Sequence, residues 1–308
     1  MKTDLLKALI EVESPSGSEF VMKEFLLEYI DKEKSNWKVQ PEIFHGTSFQ
    51  DAIILKFGTP TTAVFAHMDS IGFTVQYDNE LIKIGGPQAA EGDVLIGSDS
   101  IGRVEGTYLS TEENGIKKHF LECDRTVEVG TTLTYKPNFR LDEEFVQCCY
   151  MDNRLGMLNA LELAETLENG VIVFSTYEEH GGGSVGFLGK YIYENWGVQQ
   201  ALISDITWVT KGVQHGGGVA ISMRDSGIPR RVYLNRIVEL AKESGIPFQL
   251  EVEGAGGSDG NQLQHSPYPF DWVFIGAPED NVHTKDEKVA LSDYEAMVNL
   301  YRYLLERL

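Results

Sequence analysis

Seven residues of the types that ligate divalent metals lie at the ends of apolar runs, shortly after them, or at the start of a helical stretch. They are His67, Asp69, Asp152, Glu178, Glu179, Asp205 and His283. Carboxylates that come together without a cation repel one another, and the repulsion raises their pKa values. A bound cation removes that repulsion. The set therefore predicts a divalent metal site built from two imidazoles and several carboxylates.

Mixed nitrogen and oxygen ligands fit zinc, with cobalt or manganese as alternatives. Two imidazoles and several carboxylates are also enough for two metal ions about 3.5–4 Å apart, with one carboxylate bridging them. Each fragment alone has a simpler interpretation. Asp152 alone is typical of a helix N-cap, and the pair Glu178 and Glu179 alone is typical of a solvated loop. The order and placement of the whole set favour the metal site.

The elements that must position these residues are apolar runs of strand length at 52–57, 61–67, 171–177, 201–207 and 272–276. The last three are continuously apolar, which is typical of central strands that are covered on both faces. Helical stretches at 154–167, 230–244 and 292–308 separate or follow them. This alternation predicts an α/β fold, with a three-layer α/β/α catalytic domain around a mostly parallel sheet. Sites in such sheets form beyond the carboxyl ends of the strands.

The remaining segments complete the predicted organisation. Two short helices are expected in the first ~32 residues, with Ser16 and Glu19 as a capping box before the second. Ser292 and Glu295 form a similar pattern before the last helix. Residues 75–145 are rich in Gly, Thr and Val and contain turn signals, so they predict a small inserted all-β domain. The catalytic domain would then comprise 1–74 and 146–308.

Charge and composition exclude several classes of protein. The 308 residues contain 26 Lys and Arg against 47 Asp and Glu, a formal net charge of −21 that argues against nucleic-acid and anionic-membrane partners. No 18-residue apolar stretch predicts a transmembrane helix, and the N-terminus lacks a signal-peptide pattern. Three cysteines do not form a disulfide framework. A cytoplasmic protein is expected.

The ordered motifs resemble metallopeptidase family 42, the glutamyl and deblocking aminopeptidases that include the tetrahedral TET particles. The similarity covers essentially the whole chain. It is carried by Ser16-Gly17-Ser18-Glu19, His67-Met68-Asp69-Ser70-Ile71-Gly72, Asp152-Asn153-Arg154-Leu155-Gly156, Glu178-Glu179, Ser204-Asp205, Gly256-Gly257-Ser258-Asp259 and Asn281-Val282-His283-Thr284. These motifs are specific jointly, since they occur in the order that the family shows.

The resemblance implies two divalent metal ions, of which zinc is expected. One ion would be held by His67 and Asp205 and the other by Glu179 and His283, with Asp152 bridging. The implied activity is the hydrolysis of N-terminal residues from short peptides.

The resemblance also implies roles for two residues outside the ligand set. Glu178 would act as the general base, and Asp69 would orient His67 from behind. His180 follows the Glu pair where the family usually has an apolar residue, and a packing or exposed histidine is favoured over a substrate contact.

Several alternatives stay open at this point. A carboxypeptidase or amidohydrolase of metallopeptidase family 20 uses similar residues, but there the extra domain follows the Glu pair, whereas here it precedes Asp152. An inactive binding protein is less favoured, because every ligand type and the base are present.

The resemblance also implies a homo-oligomer, but the short insert leaves open whether a dodecameric particle forms. A pocket for acidic substrate residues would need Arg or Lys, and the sequence does not indicate which lines it.

Overall fold

The structure is a computed structural model that describes all 308 residues. Its helices are α1 Thr3–Ile10, α2 Phe20–Glu33, α3 Met151–Ala164, α4 Val185–Trp196, α5 Arg231–Ser244, α6 Asp259–His265 and α7 Leu291–Leu305. Its strands are β1 Glu42–Phe44, β2 Ile53–Phe57, β3 Ala63–His67, β4 Gly72–Val75, β5 Glu80–Ile84, β6 Val94–Asp99, β7 Gly102–Glu113, β8 Ile116–Glu122, β9 Thr132–Tyr135, β10 Arg140–Leu141, β11 Phe145–Cys148, β12 Gly170–Ser175, β13 Gln200–Trp208, β14 Val219–Arg224, β15 Phe248–Val252, β16 Asp271–Asp280 and β17 Glu287–Ala290. None of the helices has the length and apolar character that a bilayer-spanning segment needs.

Eleven strands form one large sheet in the order β1-β2-β12-β3-β13-β16-β17-β11-β10, with β14 and β15 attached beside β16. The four central strands β12, β3, β13 and β16 run parallel, and the pairs at the outer edges are mostly antiparallel. The parallel strands are almost entirely buried, as their continuous apolar runs predicted.

Helices cover both faces of this sheet. The core on one face is built from α1, α2, α3, α5 and α7, and the core on the other face from α4 and α6. The predicted α/β/α architecture with a largely parallel central sheet is confirmed.

A separate closed barrel is formed by the six strands β4-β5-β8-β7-β6-β9, between the end of β3 and the start of α3. Every pairing in it is antiparallel. The longest hairpin turns at Asn114 and Gly115, which both have positive φ as a tight hairpin turn requires. The small all-β unit expected from the sequence is therefore a barrel.

Both predicted capping boxes are wrong. Helix α2 starts at Phe20 without a side-chain cap, and the Ser16 hydroxyl instead donates to Asp69 Oδ2 at 2.6 Å. Helix α7 starts at Leu291, one residue before Ser292, also without a side-chain cap. At Ser16 a buried carboxylate distant in the chain is the hydrogen-bond partner, and the local pattern contains no information about it.

The last helix is fixed to the two strands that lead into the predicted site. The Tyr301 hydroxyl lies 2.6 Å from the Ile203 carbonyl on β13 and 2.9 Å from the Ile275 carbonyl on β16. We expect Tyr301→Phe to lower the free energy of unfolding by about 1 kcal/mol, because a buried hydrogen bond is lost. Urea denaturation measures this. The matched control is Tyr303→Phe on the same helix, and an equal change in both variants would contradict the assignment.

Candidate metal centre

Three neighbouring parallel strands deliver four of the predicted residues to one edge of the sheet. His67 ends β3, and Asp205 lies in β13 next to it. Glu178 and Glu179 follow β12, which pairs with β3 on the other side. Because the carboxyl ends of parallel strands meet at the same edge, residues far apart in sequence become neighbours.

Asp152 and His283 reach the same place from less regular backbone. Asp152 lies in the first turn of α3 but has non-helical angles, with φ −78° and ψ 105°, and Tyr150 occupies the N-cap position. The interpretation of Asp152 as a simple helix cap is therefore wrong. His283 lies in the turn between β16 and β17 with φ 63°. The backbone N–H groups of Asp152 and His283 both donate to Glu287, at 3.3 and 2.9 Å, which ties the two ligand candidates together.

Two groups of three ligand candidates share Asp152. His67 Nε2 lies 3.1 Å from Asp152 Oδ1 and 3.6 Å from Asp205 Oδ2. On the other side, His283 Nε2 lies 3.4 Å from Asp152 Oδ2 and 3.2 Å from Glu179 Oε2. Within each group all ligand atoms lie within 4.8 Å of one another. Each oxygen of Asp152 thus faces a different imidazole, which is the arrangement that a bridging carboxylate needs.

Glu178 and Asp69 lie beside these groups without joining them. Glu178 Oε2 is 4.0 Å from His67 Nε2. Asp69 Oδ1 is 3.4 Å from His67 Nδ1, and the Asp69 carboxylate accepts the backbone N–H groups of Glu178 and Glu179, each at 3.1 Å. Asp69 therefore connects the imidazole of His67 to the backbone of both glutamates.

The electrostatics of the centre fit a bound cation. Burial raises the pKa of Glu178 well above its ordinary value, and it raises the pKa values of Glu179 and Asp205 to about 7 and about 6. Burial alone would lower the pKa of His283, but hydrogen bonds to Asp152 and Glu179 raise it to about 12. Glu179 Oε1 is buried without a hydrogen-bond partner. Without an ion the carboxylates hold the imidazoles in their protonated form, and a divalent ion can supply that positive charge instead.

Arg154 is a residue whose role the sequence did not reveal. Its guanidinium is fully buried and donates to the carbonyls of Met68 and Asp69, at 2.9 and 3.3 Å, and to the Ser14 hydroxyl at 2.7 Å. It therefore holds the loop that follows His67. The signal was present as the third residue of the motif that begins at Asp152, but a buried guanidinium cannot be told from an exposed one in a sequence.

Two further polar residues lie outside the two ligand groups. Asp259 is buried, accepts a hydrogen bond from the Ser175 hydroxyl and belongs to neither ligand group. His180 is exposed, and its Nδ1 accepts the backbone N–H of Gly85 at 3.0 Å. The favoured interpretation of His180 as a packing or exposed residue agrees with this contact, which joins the glutamate loop to the segment that follows β5.

A cavity of about 290 Å³ opens from the ligand groups. All the ligand candidates except His67 line it, together with a wall contributed by β13, β15, β16 and the segments after β14 and β15. A cavity next to the metal ligands is where a substrate side chain can be held.

The comparisons with known proteins agree with the geometry. The family described as M42 glutamyl aminopeptidase matches residues 116–300. A provisionally named aminopeptidase of Acetivibrio thermocellus is 25% identical over 329 residues, with 96% of each chain covered.

Two solved structures have the same fold. The TET aminopeptidase of a marine sediment thaumarchaeon has a TM-score of 0.85 at 18% identity, covering 99% of this chain and 97% of the other. The Pyrococcus horikoshii TET1 peptidase has a TM-score of 0.80 at 21% identity, with 99% of both chains covered. The family match spans more than half of the chain, and the chain therefore belongs to the M42 glutamyl aminopeptidase family of metal-dependent aminopeptidases.

Proposed function

We propose that this protein releases N-terminal residues from short peptides by means of two divalent metal ions, with zinc as the expected metal and cobalt or manganese as alternatives. His67 and Asp205 would hold one ion, Glu179 and His283 the other, and Asp152 both. The observation that carries the proposal is the position of the Asp152 carboxylate between two imidazoles. Its Oδ1 lies 3.1 Å from His67 Nε2, and its Oδ2 lies 3.4 Å from His283 Nε2.

When bound by these residues, divalent ions would supply Lewis acidity for the scissile carbonyl and would lower the pKa of the attacking water. Glu178 belongs to neither ligand group, so its carboxylate is free to accept the proton of that water and to return it to the leaving amine. Burial raises the pKa of Glu178, which favours the protonated form that returns the proton to the leaving amine. Asp69 positions the imidazole of His67.

The acidic surroundings also account for the choice of the peptide's amino end. A free α-amine is cationic or a good hydrogen-bond donor, and carboxylates around the centre can accept it. A peptide's carboxyl end would meet like charge there. The acidic surroundings therefore favour an aminopeptidase over the alternative carboxypeptidase.

The test compares short peptides that carry a free or an acetylated N-terminus, with products identified by mass spectrometry. We expect sequential loss of N-terminal residues from the free peptide alone, loss of activity after chelation, and recovery with zinc, cobalt or manganese. Release from the carboxyl end, or chelator-resistant release, would contradict the proposal. An inactive binding protein would bind metal and cleave neither peptide.

Asp69→Asn tests the positioning of His67. We expect this variant to weaken metal affinity by about 10- to 100-fold. In the wild type the backbone N–H groups of Glu178 and Glu179 donate to the Asp69 carboxylate, whereas the NH2 group of an asparagine is itself a donor and cannot accept them. Competition with a coloured chelator measures the affinity. Ser16→Ala should have a smaller effect on metal affinity, because it removes one hydrogen-bond donor to Asp69 and keeps the charge of the Asp69 carboxylate. Unchanged affinity in Asp69→Asn would refute the role.

We further propose a cytoplasmic homo-oligomer. The three cysteines of the chain are unpaired, which suits a reducing compartment.

The proposal of an oligomer is supported by a structural relative, because the Pyrococcus horikoshii TET1 peptidase can assemble into a tetrahedron or a large octahedral shell. We propose that residues 1–74 and 146–308 form the catalytic domain and that the insert 75–145 serves dimerisation or substrate access. Light scattering of the purified protein measures the mass, and a 34.4 kDa monomer would contradict an oligomer.

A further inference from the structure

The cavity wall beyond the metal ligands is acidic. Asp225, Glu251 and Glu253 line it, and no Lys or Arg is among its 15 lining residues. Asp225 and Glu251 are only 8% and 3% exposed, so neither is a solvated surface group. Buried carboxylates are unfavourable unless a cation or sufficient donors satisfy them.

The protein supplies only neutral donors to these carboxylates. Asp225 accepts through Oδ1 from the backbone N–H of Gly227 at 2.5 Å, and Glu251 accepts from the Thr207 hydroxyl. In the same cavity, Glu179 Oε1 is buried with no hydrogen-bond partner. Arg224 only partly offsets the rise that burial causes in the Asp225 pKa, and its Nε–H donates to the Asp225 backbone carbonyl at 3.0 Å. The carboxylates of Asp225, Glu251 and Glu253 therefore have no salt bridge to a cationic side chain of this chain.

The strand register places this charge at a side chain's distance from the ligands. Asp205 and Thr207 are two residues apart on β13, so their side chains project from the same face about 7 Å apart along the strand. Glu251 contacts Thr207 from β15. The extended stem of a lysine side chain is roughly 6 Å long. A residue whose backbone lies at the metal ligands can therefore bring its terminal ammonium to Glu251.

The cavity also has apolar lining residues. Ile206, Trp208 and Phe274 line the cavity together with the acids. Lysine and arginine side chains bury an aliphatic stem against such surfaces while the charged end reaches a polar partner. An aromatic ring close to the cation adds a further attraction. Acidic substrate side chains would meet like charge in the same place.

We propose that this cavity selects peptides whose N-terminal residue is lysine or arginine, with Asp225, Glu251 and Glu253 as the residues that determine specificity. This inference rests on the proposed function, since it assigns the substrate side chain to the cavity beside the same metal centre. It also separates this chain from the glutamyl preference that the family's name implies.

The first arm of the test measures kcat/KM for tripeptides that differ only in the N-terminal residue. Norleucine has the aliphatic stem of lysine without the ammonium, so it isolates the charge. We expect lysine to exceed norleucine by roughly tenfold or more, as for a hydrogen bond to a charged group, and glutamate to be the poorest. Glutamate faster than lysine would overturn the inference.

The second arm removes the charges one at a time with Asp225→Asn, Glu251→Gln and Glu253→Gln. We expect each to lower the lysine-to-norleucine ratio of kcat/KM, and Glu253→Gln is the mildest change because Glu253 is only half-buried. The matched control is Glu239→Gln, an exposed acid on α5 that removes the same charge outside the cavity. A ratio that falls equally in the control would mean that net charge, not the cavity, sets the preference.

The third arm uses binding and needs no turnover. Calorimetry compares free L-lysine with free L-norleucine on the zinc-loaded protein, and we expect lysine to bind roughly tenfold more tightly. If both peptides are cleaved but lysine binds no better, the specificity inference fails and the proposed function stands. If lysine binds better but no peptide loses its N-terminal residue, the proposed function fails and the basic-residue site stands.

Discussion

Glu178→Gln is expected to lower kcat by about 10²- to 10⁴-fold, which is the usual contribution of a general acid–base group. The variant keeps the shape of the side chain but cannot accept a proton. Glu178 lies outside both ligand groups, so the variant should bind metal as the wild type does. The expected signature is therefore a large loss in kcat with unchanged metal content.

Steady-state kinetics and metal analysis on the same preparation separate this role from a structural one. A parallel variant, Glu194→Gln, removes a carboxylate that contacts only the Tyr268 hydroxyl on the surface, and it should retain wild-type kcat. Wild-type turnover in Glu178→Gln would show that another group moves the proton. Loss of metal together with activity would instead make Glu178 a ligand.

Asp152→Asn is expected to weaken the binding of both metal ions together. Asp152 offers one oxygen to each group, and each group without it retains only one imidazole and one other carboxylate. Loss of an outer partner of a ligand already weakens metal affinity by 10- to 100-fold, so loss of the shared charge should exceed about 100-fold. Activity at limiting zinc should fall in parallel.

Metal titration followed by calorimetry tests this prediction, with Asp124→Asn as a control because Asp124 is exposed and remote in the barrel hairpin region. Two sites that weaken together support the bridge. If one site keeps its wild-type affinity, Asp152 belongs to a single ion and the proposed division of ligands is wrong.

The central strands could be predicted from the sequence because burial on both faces leaves continuous apolar runs. Helix α4 could not, since Gly186 and Gly189 interrupt its pattern. A Cβ on Gly189 would come within 3.0 Å of the Leu263 side chain of α6, so this glycine is explained by close helix packing. Such a reason is visible only after the helices are placed.

The candidate site likewise contains residues that the sequence predicts and residues that only the folded structure reveals. Its seven predicted residues could be found because strand ends and short motifs mark them, and the structure brings them to one edge. Glu287 and Arg154 act on backbone atoms of distant segments, which leaves no local pattern. Asp225 and Glu251 converge only after β14 pairs with β15, so the charge of the cavity could not be predicted from spacing.

The most direct test of the central claim is the number of metal ions that each chain binds. The protein is stripped with a chelator, dialysed to equilibrium against zinc and analysed for metal and protein content. We expect two ions per chain, since two groups of ligands share Asp152. A stoichiometry of one or zero would contradict the proposed dinuclear centre.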